Sequence, residues 1–177
     1  MKKLISLFVF ITVVFSMNAQ NEEVRTTKPY NTDFIMGPYL ILDGTIYESV
    51  FLRGIRVGYE YESGLAIGIE YLAGNQEDLA GQLGTTHSAF GTLTYHFEKD
   101  GDYGRFRSYL TTGAGFFEFK DFSADVLGVA FYLGGGIEMN ISKIVKGFLE
   151  PRYINLGLMD AKGTHQLGVM WGVRAKF

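Results

Sequence analysis

The chain has 177 residues, a formal net charge of −3 and no cysteine. That length suits one domain, and a composition 47% hydrophobic and 20% charged excludes a disordered tail or a charge-driven nucleic-acid binder. Without cysteine there is no disulfide scaffold, thiol nucleophile, Cys-ligated metal or lipidated N-terminal cysteine. Against 3 Pro stand 23 Gly, 15 Phe and 11 Tyr, a combination costly in helices and usual in tightly turning, aromatic-banded β structure.

Met1-Lys2-Lys3 is a positive head, and Leu4 to Phe15 is almost continuously apolar. This is the length of a signal-peptide core and too short to cross a bilayer as a helix. Ala19 supplies a small residue for cleavage, so residues 1–19 read as a secretory signal peptide. Its removal takes Lys2 and Lys3 from the 16 basic residues, leaving 14 against 19 acidic ones and a mature net charge of −5. Residues 20–33 are polar and read as a flexible extension, with residues 34–177 forming the folded domain.

From Phe34 onward the hydrophobic period is two. In the last segment, 165–177, one face carries Leu167, Val169, Trp171, Val173, Ala175 and Phe177. The other carries Gln166, Gly168, Met170, Gly172, Arg174 and Lys176. Seven further segments follow the same rule, near 34–42, 50–61, 64–74, 85–97, 105–117, 126–139 and 147–157. Eight strands of this length match tilted strands crossing hydrocarbon. With both termini on one side, 62–64, 98–104 and 140–146 form one rim, and 43–49, 75–84, 118–125 and 158–164 the other. The second rim is expected to be slightly longer, because of the polar stretch 75–84. Pro38 and Pro151 cannot donate to a ladder and are expected at bulges or rims.

The polar face is rich in Gly, which fits the crowded interior of a small barrel better than a solvated surface. It also carries Arg56, Glu60, Glu70, Arg107, Glu138, Glu150, Arg152 and Arg174, four of each sign. Enclosed together, such charges can pair; facing lipid, each basic residue near the midplane would cost about 2–4 kcal/mol. The fold class predicted is therefore all-β, an eight-stranded antiparallel up-and-down transmembrane β-barrel with charge inside and an apolar exterior. Tyr59, Tyr61, Tyr95, Phe97, Phe148 and Phe177 cluster toward the terminus-bearing rim, with Phe51, Tyr71 and Phe116 or Phe117 toward the other. These are two bands of the kind bilayer interfaces favour.

With its signal peptide, eight dyad-repeat strands and the ending Trp171-x-Val173-x-Ala175-x-Phe177, the sequence resembles the small eight-stranded outer-membrane β-barrels of Gram-negative bacteria, the OmpA-type and OmpX-type group. The resemblance covers the whole mature chain. It implies an outer-membrane location, contact with outer-membrane lipid, and a terminal strand read by the barrel-assembly machinery through those four residues. A counterpart of the periplasmic peptidoglycan-binding domain of longer OmpA-type proteins is not expected.

No catalytic, cofactor or metal constellation is predicted. His87 and Ser88 are neighbours on a strand and point to opposite faces, so they cannot form a nucleophile–base pair. His96 and His165 fall near opposite rims, too far apart for one metal. The glycine clusters 113–115 and 134–136 do not lie between a strand and a helix start, as phosphate loops do. The function expected is non-catalytic: a structural, envelope-integrity or surface-interaction protein with its interior plugged by side chains and an unidentified loop partner. The alternatives are a narrow channel, a barrel enzyme acting on outer-membrane lipid, and a soluble ligand-binding barrel, the last disfavoured by the polar-in patterning.

Overall fold

A computed structural model describes residues 29–41, 47–78, 83–97, 106–120, 125–142, 144–158 and 164–177. Residues 1–19, read above as a signal peptide, and most of the stretch read as an extension lie outside these residues. Eight strands follow in chain order: β1 (Tyr30–Ile41), β2 (Tyr47–Glu60), β3 (Leu65–Asp78), β4 (Leu83–His96), β5 (Phe106–Lys120), β6 (Asp125–Asn140), β7 (Val145–Leu158) and β8 (Thr164–Lys176). Each pairs antiparallel with the next, and β8 returns to β1 to close the barrel. At that seam Asn31 aligns with Lys176 and Phe34 with Val173. Closure leaves no strand edge unpaired, which is what hydrocarbon demands.

Three sequence expectations change. β1 begins at Tyr30, inside the stretch assigned to the flexible extension. Asn31 and Asp33 are polar but buried, because on this strand the inward side is the polar one. The polar stretch 75–84, expected as a loop, is largely strand: β3 runs to Asp78 and β4 starts at Leu83. The slight excess in length expected of the rim opposite the termini, which rested on this stretch, therefore loses its basis. Finally, neither proline makes a bulge. Both face outward, and the registers on either side of them agree. The β1–β8 ladder skips the pairs of Gly37 and Pro38, and the β6–β7 ladder skips those of Glu150 and Pro151. Each missing N–H opens a two-pair gap without a register shift.

The glycine excess has a specific cause. Six aromatic rings are buried in the interior, Tyr39, Phe90, Tyr109, Phe117, Tyr132 and Phe148. Each lies directly opposite a glycine of the adjacent strand: Gly168, Gly115, Gly136, Gly128, Gly113 and Gly172 respectively. A Cβ on Gly168 would sit 2.3 Å from the Tyr39 ring, and one on Gly113 would sit 2.2 Å from that of Tyr132. Ring and glycine together fill a bore that two ordinary side chains would overfill. Gly168→Val is therefore expected to destabilise by about 1–3 kcal/mol or more, as overpacking does. Adding Tyr39→Ala should recover part of the heat-modifiable folded form on gels. No recovery in the double variant would locate the strain elsewhere.

The interior is layered. Toward the rim opposite the termini it is lined by Val50, Leu52, Leu72, Phe90, Phe117, Ala130 and Ile154, with Tyr39, Tyr132 and Met170. From the middle to the terminus-bearing rim it is ionic.

Candidate functional site

Strand alternation decides which side chains enter the bore, and the ionic layer follows from it. The central cluster joins β2, β3 and β7. Arg152 grips Glu70 with both terminal nitrogens, Nη1 to Oε1 and Nη2 to Oε2, each at 2.7 Å, and its Nε donates to Glu150. Arg56 donates to Glu70 from Nη2 at 2.7 Å and to Glu150 at 3.2 Å. The Tyr109 hydroxyl donates to Glu150 at 2.7 Å, and the Arg152 guanidinium lies 4.4 Å from the centre of the Tyr132 ring. All four charged residues are buried, and their charges cancel.

The second cluster lies toward the terminus-bearing rim. Arg174 holds Asp33 with two bonds of 2.8 Å and Glu138 with one of 2.5 Å. Glu138 also accepts from Lys146 at 2.8 Å and from Arg107 at 3.3 Å. Glu60 accepts from Arg107 at 2.7 Å and pairs with Lys176 at 2.9 Å. His96 is buried among them: its Nε2 lies 3.1 Å from Arg174 Nη1 and its Nδ1 3.2 Å from the Gly64 carbonyl. Since guanidinium can only donate, Nε2 accepts and the imidazole proton sits on Nδ1, bonded to that carbonyl. Gly64 closes the β2–β3 turn at φ 84°, so this turn is tied to the network. The two clusters meet where Arg56 lies 3.5 Å from Asp33.

All eight interior charges expected from the sequence, Arg56, Glu60, Glu70, Arg107, Glu138, Glu150, Arg152 and Arg174, point into the bore and are buried. Sequence reasoning missed Asp33, His96, Lys146 and Lys176. Among the described residues the buried set is thus five acids against six cations, a slight cationic excess instead of an even balance. Lys176 and Lys146 were readable, since each continues the inward parity of its strand. Asp33 was hidden by the misplaced start of β1. Arg107, on the strand adjacent to that of Glu138, lies beside it, whereas Arg152, on the other adjacent strand, binds Glu70 and Glu150.

The outward face is apolar. Phe34, Ile55, Ile69, Leu110, Val129, Leu133, Leu149 and Val173 are exposed around the wall. At the terminus-bearing rim Tyr30, Tyr59 and Tyr61 form a chain of edge-to-face contacts, centroids 5.4 and 4.9 Å apart, and Tyr95 packs on Phe97 at 5.6 Å. Phe51, Tyr71 and Phe116 are exposed toward the other rim. One assignment to these bands is corrected: Phe148 is buried in the bore beside Gly172. Of the alternatives Phe116 and Phe117, Phe116 is the exposed one, and Phe117 is buried in the bore against Gly128. The terminal-strand residues Trp171, Val173 and Phe177 are exposed on the outward face, and Ala175 lies partly covered on the same side.

No family model and no curated protein matches the chain. Solved structures do. Over 84% of this chain and 96% of the other, Neisserial surface protein A superposes with a TM-score of 0.65 at 17% identity. The N-terminal β-barrel domain of Pseudomonas aeruginosa OprF superposes with a TM-score of 0.55 at 16% identity, over 84% and 98%. The fold is that of the small eight-stranded outer-membrane barrels. In this barrel the remaining histidines do not meet Ser88. His87 lies on the outward face with its Nδ1 2.6 Å from the Tyr71 hydroxyl. His165 is bonded to Tyr153 and Asn155, and Ser88 is buried in the bore.

Proposed function

We propose that the protein is an outer-membrane barrel of a Gram-negative envelope, exported by a cleaved signal peptide, with a structural or surface-interaction role and no catalytic one. The observation that carries this reading is the combination of an apolar wall with a bore closed twice. One closure is the layer of rings over glycines; the other is the layer of buried ion pairs. The resemblance in fold to Neisserial surface protein A and the OprF barrel supports the envelope setting. The partners proposed are outer-membrane lipid along the wall and the barrel-assembly machinery at the terminal strand. The separation of His87, Ser88, His96 and His165 supports the non-catalytic reading.

A narrow channel is the reading that the bore itself argues against. Beside Gly58 and Gly68 a void lined by Arg56, His96 and Arg174 has room for about one water molecule. Beyond it, toward the rim opposite the termini, stand the buried rings of Tyr39, Phe90, Phe117 and Tyr132. In planar bilayers the purified protein should show at most small, intermittent conductance, and large steady steps would contradict the closed bore. Outer-membrane fractionation and a gel shift on boiling in detergent test the membrane-barrel reading. A soluble fraction with no shift would overturn it.

A further inference from the structure

Two inward glycines of the bore have no ring opposite them. The register sets Asn31 opposite Gly58, Gly58 opposite Gly68, and Gly68 opposite Thr92. One inward row thus crosses β1 to β4, with a polar residue at each end and two glycines between. A Cβ on Gly58 would sit 3.0 Å from Asn31 Oδ1, and one on Gly68 would sit 3.0 Å from Thr92 Oγ1. The other atoms nearest those two positions belong to backbone, and none to a ring. The space the glycines leave is the void beside Arg56, His96 and Arg174, which Asn31 and Thr92 also line. Both polar residues are buried, at 4% and 8% exposure. Neither the Asn31 amide nor the Thr92 hydroxyl has a hydrogen-bond partner among the described residues. Buried polar groups are destabilising without a partner, so two of them aimed into one void point to a ligand.

We propose that this void is a binding site for a single monatomic anion, chloride being the chemistry that fits. Size excludes the larger anions: room for about one water molecule rejects phosphate, sulfate and carboxylate ligands and admits a halide. Charge separates the anion from water. The described residues around the void include two guanidinium groups and no carboxylate. The nearest acid on the same strand as Asn31 is Asp33, which Arg174 holds with two bonds of 2.8 Å. Arg174 has five N–H groups, of which four are committed to Asp33, His96 and Glu138. His96 adds no charge, since its Nε2 accepts from Arg174. The buried side chains described carry one cation more than acids, and that excess lies in the cluster to which Arg174 belongs. Water in the void would satisfy the Asn31 amide and the Thr92 hydroxyl and leave the excess charge as it is. A halide accepts from both and cancels it. The site belongs to the interior alone and goes beyond the envelope role proposed above.

The test has a crystallographic and a solution arm, both on the full, folded barrel in detergent. Crystals grown with bromide in place of chloride should show a bromine anomalous peak between Asn31 and Thr92. In urea titrations at constant ionic strength, chloride is exchanged stepwise for strongly hydrated fluoride. The unfolding midpoint should rise with chloride, as it does for any ligand that binds only the folded state. Thr92→Val keeps the shape and loses the hydroxyl; it should lose the peak and most of the chloride-dependent shift, while still changing mobility on boiling. Asn31→Asp supplies the missing negative charge from the chain itself. It should be at least as stable as the unaltered barrel without chloride, and chloride should no longer move its midpoint. This second variant carries the test if Thr92→Val fails to fold. Density of water without an anomalous peak, or a midpoint indifferent to chloride, would overturn the site. A peak that Thr92→Val retains, or a peak with no matching shift in solution, would mean an adventitious ion only and overturn it too.

Discussion

Glu138→Ala should lower the unfolding free energy by about 3–5 kcal/mol, the cost of breaking a buried ion pair by removing one partner. Its carboxylate faces Arg174 at 2.5 Å, Lys146 at 2.8 Å, Arg107 at 3.3 Å and His96 at 3.6 Å. The cluster toward the terminus-bearing rim holds Asp33, Glu60 and Glu138 against Arg107, Lys146, Arg174 and Lys176, an excess of one cation. Removing Glu138 doubles that excess among buried side chains. Glu138→Gln keeps the volume and loses the charge, so its cost separates electrostatics from packing. Urea titration in detergent, with the outward Val129→Ala as reference, gives the comparison. That reference exchanges one apolar contact with lipid or detergent for a smaller one and should cost far less. A Glu138→Ala effect no larger than that of Val129→Ala would mean that the ion network does not hold the barrel.

Deleting Phe177 should severalfold reduce the folded, heat-modifiable protein in the membrane fraction and leave the remainder open to proteolysis. Two features support this. The backbone of Phe177 closes the seam, accepting from the Tyr30 N–H at 3.2 Å and donating to the Tyr30 carbonyl at 3.0 Å. Its ring, 58% exposed, continues the outward series of Trp171, Val173 and Ala175 to the interface, where aromatic rings are favoured. Two rim hydrogen bonds are worth only about 0.5–1.5 kcal/mol each, so most of the loss is expected in assembly, not in equilibrium stability. Refolding of the deletion variant in detergent, compared with its yield in cells, distinguishes the two. Wild-type abundance in the membrane would refute the assembly role.

Strand parity was legible in the sequence because a barrel wall between two different media writes it into every second residue. β8 and β6 read cleanly, and their faces are as the alternation indicates. The strand ends were harder for a physical reason. Beyond the apolar band both faces of a strand can be polar, so β3 through Asp78 and β1 from Tyr30 look like loop. The pairing of charges was illegible as well, because it depends on which side chains meet across the bore. Arg152 reaches Glu70 across 82 positions of sequence, a contact that parity permits but does not choose. The ring-over-glycine pairs fall between these cases. The composition announced them as an excess of both residue types, and only the register shows that each ring has its own glycine.

The layering of the bore also bears on how such a sheet could enter a bilayer. If the chain inserts from the side that carries its termini, the hairpin tips of the opposite rim must travel farthest. The inward surface of that leading half is made of Val50, Leu52, Leu72, Phe90, Phe117 and their neighbours. An unclosed sheet can show these to hydrocarbon at little cost. The charged rows trail behind and stop near the aqueous edge from which they started, where water can cover them until the first and last strands meet. The interior thus sets an order of events, with apolar advance first and the ion pairs completed last as the cylinder shuts. A barrel with the same residues in the reverse layering would have to drag its bare charges through the membrane before any partner arrived.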